Sequence, residues 1–294
     1  MTDPTQPTLP QCLTIAGSDS GGGAGIQADL KSFQANGVFG MSVLTSITAQ
    51  NTVEVTEAFD LPTGIITAQL RAVFEDFEVA AAKTGMLSSG AIIEAVCHFW
   101  KNLPTAPPLV VDPVMISKSG YRLLQPDAVE HVKRELLPLA TLVTPNRHEA
   151  ELLSGVELRK RSDLEEAARR ILALGPEAVL IKGGHLEGEG LDPHQAVDYL
   201  YDGEGGFESF ASPRFDTTST HGTGCTYSSA ICAWLGRGVS LSIAVANAKG
   251  YVEQAIRHGL GIGRGHGPTD HFYFLREREE ADSPTRPPRQ GWHP

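Results

Sequence analysis

What the chain lacks narrows it first. Only four cysteines occur in 294 residues, Cys12, Cys97, Cys225 and Cys232. They show neither CxxC spacing nor the density of a disulfide framework, so a reducing, cytoplasmic setting is expected. No apolar run approaches the ~18 residues needed to span a bilayer, which excludes a membrane-spanning protein. Met1 to Pro10 is polar and proline-rich and lacks the basic-then-apolar order of a signal peptide, so export is not expected. Basic charge is scarce: the formal net charge is -11, which argues against a nucleic-acid binder. The one dense basic run before the tail, Arg159-Lys160-Arg161, reads as a solvated face. No G-x-x-x-x-G-K-[ST] motif occurs, which excludes a P-loop kinase. No domain linker and no internal repeat interrupts the chain.

What is present fits a soluble globular protein with a large core, 41% of its residues being hydrophobic and 20% charged. Leu13 to Gly17 is a short β-rich run, followed by a loop with Gly21-Gly22-Gly23-Ala24-Gly25 and then by Ile26, Leu30 and Phe33 at helical spacing. Gly23 to Ala28 formally matches G-x-G-x-x-A. However, the loop is longer than that fingerprint needs, and the next strand, Met41 to Ala49, ends in Gln50-Asn51-Thr52 without the acidic residue that holds a ribose. A nicotinamide cofactor is therefore disfavoured.

The alternation continues. Strands are expected at Val79 to Lys83, Leu109 to Asp112, Thr141 to Thr144 and Ala178 to Lys182. Helices are expected around Ile66 to Phe74, Ile92 to Trp100, Val129 to Leu136 and Asn146 to Leu153. A further helix should start at the capping-box pattern Ser162-Asp163-Leu164-Glu165. Single helices between strands imply parallel crossovers, and near-continuous apolar strands imply a sheet covered on both faces. Ala196 to Tyr201 and Phe207 to Ala211, separated by Asp202-Gly203-Glu204-Gly205-Gly206, read as an antiparallel hairpin. Two helices, roughly 225 to 236 and 240 to 258, complete the fold. The stretch between Leu186 and Pro193 is expected as a surface loop. Residues 11–275 form the expected domain, with 1–10 and 276–294 as flexible termini.

The stretch that organises the chemistry is Ser219-Thr220-His221-Gly222-Thr223-Gly224-Cys225-Thr226. Two glycines let the backbone turn tightly where a helix begins, so free N–H groups and a helix dipole point at one spot, which suits an anion. Cys225 at the helix start is expected to lose its proton readily; the simpler reading is a glycine-rich turn holding a small cysteine. Polar residues collect at the expected carboxyl ends of the strands: Asp19, Gln50, Lys83, Asp112, Asn146 with Glu149, and Lys182. Asp112 before Pro113 is a turn former or a group near a metal. Asn146 and Glu149, three apart, either face one point suited to Mg²⁺ held through water or act as helix cap and first-turn acid. Lys182 either reaches a phosphate or pairs with a carboxylate.

Taken together, Leu13 to Ser20 with Gly22 to Asp29, Thr48-Ala49-Gln50-Asn51-Thr52, Lys83-Thr84-Gly85-Met86-Leu87, Val111-Asp112-Pro113-Val114-Met115, Thr144-Pro145-Asn146 with Glu149-Ala150, Lys182-Gly183-Gly184-His185 and Thr220 to Cys225 resemble the hydroxymethylpyrimidine/phosphomethylpyrimidine kinase family of thiamine biosynthesis. The resemblance covers about residues 11 to 273. It implies a three-layer α/β/α ribokinase-like fold with a mostly parallel central sheet and an antiparallel edge hairpin. It also implies a homodimer that uses ATP and Mg²⁺ to phosphorylate 4-amino-5-hydroxymethyl-2-methylpyrimidine and then its monophosphate. By position, Ala24, Asp29, Gln50 and Met86 would line the pyrimidine site. Asp112, Asn146, Lys182 and Thr223 would hold the nucleotide, with Asp112 and Glu149 toward the metal. Lys182 and the Gly222, Gly224 and Cys225 backbone would stabilise charge on the transferring group.

Cys225 stands where the wider superfamily carries an Asp base, so it is the expected proton acceptor of the first phosphorylation. Gly21 departs from the small hydroxyl residue of many relatives. A pyridoxine/pyridoxal kinase of the same fold is the alternative, and a Cys225/His221 hydrolase or a non-catalytic pyrimidine-binding regulator are readings from other classes.

Overall fold

Short apolar runs closed by a glycine or a polar residue become strands, and the amphipathic segments between them return the chain in one direction. The structure is a computed structural model and describes residues 9–116, 123–125, 128–183, 192–203 and 207–276. In chain order the elements are β1 (Gln11–Asp19), α1 (Gly25–Ala35), β2 (Phe39–Gln50), β3 (Val55–Asp60), α2 (Thr63–Asp76), β4 (Val79–Thr84), α3 (Gly90–Lys101) and β5 (Leu109–Val111). They continue with α4 (Ala128–His131), β6 (Leu142–Val143), α5 (Arg147–Ser154), α6 (Arg161–Leu172), β7 (Val179–Ile181), β8 (Gln195–Tyr201), β9 (Phe207–Pro213), α7 (Thr223–Gly236) and α8 (Leu241–Arg257).

The strands form one sheet in the order β3-β2-β1-β4-β5-β6-β7-β8-β9. The run from β2 to β7 is parallel; β3 and the β8–β9 hairpin are antiparallel at the two edges. The period-two alternation of the strands divides their side chains between two cores. Leu13, Ile15, Leu109, Val111, Val179 and Ile181 pack with residues of α2, α3 and α6. Cys12, Val110 and Leu180 pack with residues of α1, α7 and α8. Three layers result, as the near-continuous apolar strands require. Helix α7 is buried continuously from Thr226 to Ala233, which explains why its sequence is not amphipathic.

Four local expectations are corrected. Strand β3 is an addition to the expected strands; its residues are mostly exposed and its pattern is polar. The helix expected over Val129 to Leu136 is one α-turn that widens into a π-turn at Val132–Leu136 and tightens into a 3-10 turn at Leu137–Leu139. Helix α6 begins at Arg161 rather than at a Ser162 cap, because the Asp163 carboxylate accepts the Lys160 and Arg159 amides, both at 3.0 Å. Helix α7 begins at Thr223, so Cys225 lies inside its first turn. The expectations for residues 1–8, for Gly184 and His185, for the stretch from Leu186 to 191, for 204–206 of the hairpin turn and for the tail beyond Arg276 fall outside the described residues.

The base of α7 is tied down by a buried histidine. His271 lies 3.0 Å from Thr226 Oγ1, and because that hydroxyl donates to the Gly222 carbonyl at 2.9 Å, the imidazole Nε2–H is the donor. Burial first, and the Lys31 charge second, push His271 down to about 4, against Asp270. Above its ordinary value of 6.5 the group is neutral whether folded or not. Below it the unfolded chain takes up a proton that the folded chain refuses, so stability falls as pH drops from 6.5 to about 4, by up to ~3 kcal/mol. Urea midpoints at pH 7.0, 5.5 and 4.5 should therefore decline, and His271→Gln, which keeps an N–H near Thr226, should flatten that decline.

Candidate functional site

Strand order reverses between β1 and β4, one leading to β2 and β3 and the other to β5 onward. In a parallel sheet the loops at that switch point separate and leave a crevice beyond the carboxyl ends of the strands. Here the crevice is a cavity of about 1070 Å³ whose lining runs from Asp19 and Gln50, through Asp112, to Lys182 and the start of α7.

Two loops build one wall. In the first, Asp19 folds the glycine-rich segment around itself, accepting the amides of Gly21 at 2.8 Å, Gly23 at 3.1 Å and Ala24 at 2.8 Å. Its Oδ2 also lies 2.8 Å from His221 Nε2, which joins this loop to the second, the start of α7. Burial opposes the charge on Asp19, but the His221 hydrogen bond and charge, with the Ala24 and Gly21 amides, hold its carboxyl below the usual range. Gly222 caps α7 at φ 76°, and a Cβ there would stand 1.8 Å from the Gly23 carbonyl oxygen. Only glycine permits that approach. The Thr223 amide donates to the Thr220 carbonyl at 3.3 Å; because Gly222 has no side chain to cap the helix, the next amides of the turn, those of Gly224 and Cys225, are available to an anion in the cavity.

The opposite wall carries charge. Asp112, just past β5, is buried and accepts Lys182 Nζ at 2.9 Å and Ser228 Oγ at 3.3 Å. Burial opposes its ionisation; the charges of Lys182 and Lys83 prevail and keep its carboxyl low. Asn146 and Glu149 form a reciprocal cap on α5: Asn146 Oδ1 accepts the Glu149 amide at 3.0 Å and Glu149 Oε2 accepts the Asn146 amide at 2.8 Å. The cap reading of the pair therefore holds, and both residues also line the cavity. Burial raises the Glu149 carboxyl to about 7, Lys182 opposing and Asp112 adding to the rise. Lys182 owes its aim to a contact the sequence did not reveal. Asp198 Oδ1 accepts the Gly183 amide at 2.7 Å while Lys249 Nζ holds Asp198 Oδ2 at 2.7 Å.

Toward β2, Gln50 is clamped by Ser20, whose hydroxyl donates to the Gln50 carbonyl at 2.6 Å and accepts its amide at 2.8 Å. Its side-chain oxygen accepts Thr48 Oγ1 at 3.1 Å and its Nε2 lies 3.4 Å from His221 Nε2. An amide donor and a spare lone pair are thus offered to a ligand edge. Ala24, Met86, Gly224, Cys225 and Thr223 complete this part of the lining.

Three expectations change. Asp29 does not line the cavity: it is fully buried beneath it, with oxygens 3.1 and 3.2 Å from Lys83 Nζ and accepting Thr14 Oγ1 and Ser229 Oγ at 2.6 Å each. Cys225 is not acidified. Burial pushes its thiol up to about 12, outweighing Lys83, which lowers it, while Asp29 and Asp112 raise it further. Nor is His221 turned toward a nucleophile, since its Nε2 faces Asp19.

A family model described as phosphomethylpyrimidine kinase matches residues 19–270. A hydroxymethylpyrimidine/phosphomethylpyrimidine kinase of Streptomyces coelicolor is 50% identical over 278 residues, covering 94% of this chain and 100% of the relative. The solved phosphomethylpyrimidine kinase of Clostridium difficile is 47% identical with a TM-score of 0.73, covering 84% of this chain and 99% of that one. An ADP complex of Bacillus subtilis pyridoxal kinase is 41% identical with a TM-score of 0.82, covering 91% of this chain and 99% of that one.

Proposed function

Because the chain belongs to the phosphomethylpyrimidine kinase family, we propose that its cavity transfers the γ-phosphoryl group of ATP to 4-amino-5-hydroxymethyl-2-methylpyrimidine, and then a second one to the resulting monophosphate. The observation that carries this reading is the meeting, in one cavity, of the uncapped start of α7 with the Asp112–Lys182 pair and Glu149. Free amides and a lysine receive phosphate oxygens; carboxylates beside them suit a hard divalent cation. A pair of carboxylates rather than a full cage is what Mg²⁺ takes, since it keeps waters and uses one or two side chains plus substrate phosphates. Asp112 and Glu149 would hold Mg²⁺, which when bound neutralises charge on the phosphates.

In this reading Ala24, Gln50 and Met86 bind the pyrimidine, Gln50 pairing with its amino edge. Asn146, Lys182 and Thr223 face the nucleotide. The acceptor oxygen forms a bond to the γ-phosphorus as the bridging bond to ADP breaks, and the hydroxyl proton passes to an oxygen of the transferred phosphoryl group and from there to water; in the second step the acceptor is already an anion. The Gly222 and Gly224 backbone and Lys182 stabilise charge on the group in flight.

Cys225 serves as a neutral wall of the acceptor site, because a thiol at about 12 holds its proton at neutral pH. A loose transition state needs little base help. Cys225→Ala should therefore slow both phosphorylations by a similar factor of about 10 or less, whereas a base would show a much larger loss in the first step. Separate rate measurements on the two acceptors check this.

The assignment is tested by ATP consumption with Mg²⁺ and the hydroxymethyl pyrimidine, its monophosphate or pyridoxal as acceptor, with products weighed by mass spectrometry. Diphosphate from the first two supports the reading. Turnover of pyridoxal alone would move the assignment to the other activity found among its structural neighbours. A soluble cytoplasmic homodimer is part of the proposal, and light scattering tests its mass.

A further inference from the structure

Resting on the two-step reading, we infer that the buried ammonium of Lys83 is a specificity determinant that favours the second, anionic acceptor over the first, neutral one. Lys83 is fully buried on β4, and it forms an ion pair with Asp29. Asp29 is fully engaged, by both contacts to Lys83 and by the hydroxyls of Thr14 and Ser229. Such a pair is a poor device for stability alone, because an apolar pair of similar volume often serves as well. What it supplies is a fixed dipole in a low-dielectric interior.

The dipole has its positive end toward the cavity. Gly85 lines the cavity, and a Cβ there would lie 3.1 Å from Lys83 Nζ and 2.9 Å from Ala16 Cβ, Ala16 also being part of the lining. The ammonium thus stands one backbone thickness behind the wall, and the missing side chain at Gly85 keeps that layer thin. Asp29 contributes nothing to the lining. The thiol of Cys225 senses the same orientation: Lys83 lowers its pKa more than Asp29 raises it.

The charges on the cavity side leave this cation a task. Lys182 is already matched by Asp112, Lys249 by Asp198 and Arg147 by Glu151, and Asp19 has only a hydrogen bond with His221 beside it among the described side chains. Glu149 adds further acid. A neutral hydroxymethyl pyrimidine enters such a site without electrostatic penalty. A phosphomethyl pyrimidine brings a charge of about -1.5 to -2, which the Lys83 field offsets through the Gly85 backbone.

The test is the ratio of kcat/KM for the monophosphate to that for the hydroxymethyl pyrimidine, in the full-length enzyme. Lys83→Gln keeps a donor toward Asp29 and removes the charge; Lys83→Met with Asp29→Asn removes both charges and keeps the volume. In each, the ratio should fall about 10-fold or more, chiefly through KM for the monophosphate. Ser229→Ala deletes a hydrogen bond of the same buried cluster and keeps both charges, so its thermal midpoint should fall with the ratio unchanged. Equal losses on both acceptors in the Lys83 variants, or the same shift of the ratio in Ser229→Ala, overturn the inference and leave the kinase reading standing. No turnover of either acceptor by the unmodified enzyme overturns both.

Discussion

Asp112→Asn should slow both phosphorylations by about 10³-fold at saturation while the protein still folds. The substitution keeps the shape of the side chain and one oxygen to accept Lys182 Nζ, now at 2.9 Å from Oδ1, while the NH₂ that replaces Oδ2 turns the contact with Ser228 Oγ, now at 3.3 Å, into one in which the hydroxyl accepts. What it removes is one negative charge from the floor of the phosphate site. That charge is held in its ionised form by Lys182 and Lys83 against the cost of burial. It fixes the Lys182 ammonium, and in the proposed function it shares a divalent cation with Glu149. Without it Lys182 loses its counter-charge, but that side chain is 14% exposed at the cavity, so water can solvate it and the stability cost should stay near 1–3 kcal/mol. The kinetic signature separates the two effects: kcat falls, KM for the pyrimidine changes little because Gln50 and Met86 are untouched, and more Mg²⁺ is needed for half-maximal rate. A loss under tenfold with an unchanged metal requirement would remove Asp112 from the phosphate and metal site.

The parts of this site that are legible in the sequence are those set by local rules. A glycine-rich turn running into a helix can be read as a cradle of free amides from its residue types alone. Apolar strands that stop at Asp112 or before Lys182 locate the carboxyl end of a parallel sheet without any coordinates. Strand β3 is not legible, because an edge strand in contact with water on most sides need not alternate; its sequence, Val-Thr-Glu-Ala-Phe-Asp, carries charge where a central strand would carry core. Asp29 and Cys225 escape a sequence reading for a different reason. The helix-start rule for a thiol is local, but the ionisation of Cys225 is governed by burial among elements far apart in the chain. The position of Asp29 within its motif likewise says nothing about Thr14, Lys83 and Ser229, which come from β1, β4 and α7 to enclose it. The Asp198–Lys249 support behind Gly183 is equally non-local, spanning β8 and α8.

The same distinction sets the expected result for Gly222→Ala, a change of one methyl group. Its first cost is conformational: at φ 76° an alanine is strained by roughly 1 kcal/mol. The second is steric, because the new Cβ would stand 1.8 Å from the Gly23 carbonyl oxygen and 3.2 Å from the Ala24 Cα. Both are backbone atoms of a segment already gathered around the Asp19 carboxylate and tied to His221, so neither can turn aside as a flexible side chain would. The two loops must separate, by about 1 Å or more for ordinary contact to be restored, and the start of α7 moves with them. Misplacing reacting groups by that distance costs about 10²-fold in rate, and removing one charge-stabilising donor costs about 10²–10³-fold. Turnover of both acceptors should therefore fall by about 10²–10³-fold, with stability lower by about 2–4 kcal/mol. Thr223→Ala is the comparison. It deletes the 2.8 Å bond from Thr223 Oγ1 to the Thr220 carbonyl and one hydroxyl facing the nucleotide but leaves the two loops and the backbone amides in place, so its effect should be an order of magnitude smaller. If Gly222→Ala kept more than a tenth of the activity, the amides of this turn would not be what holds the transferring group.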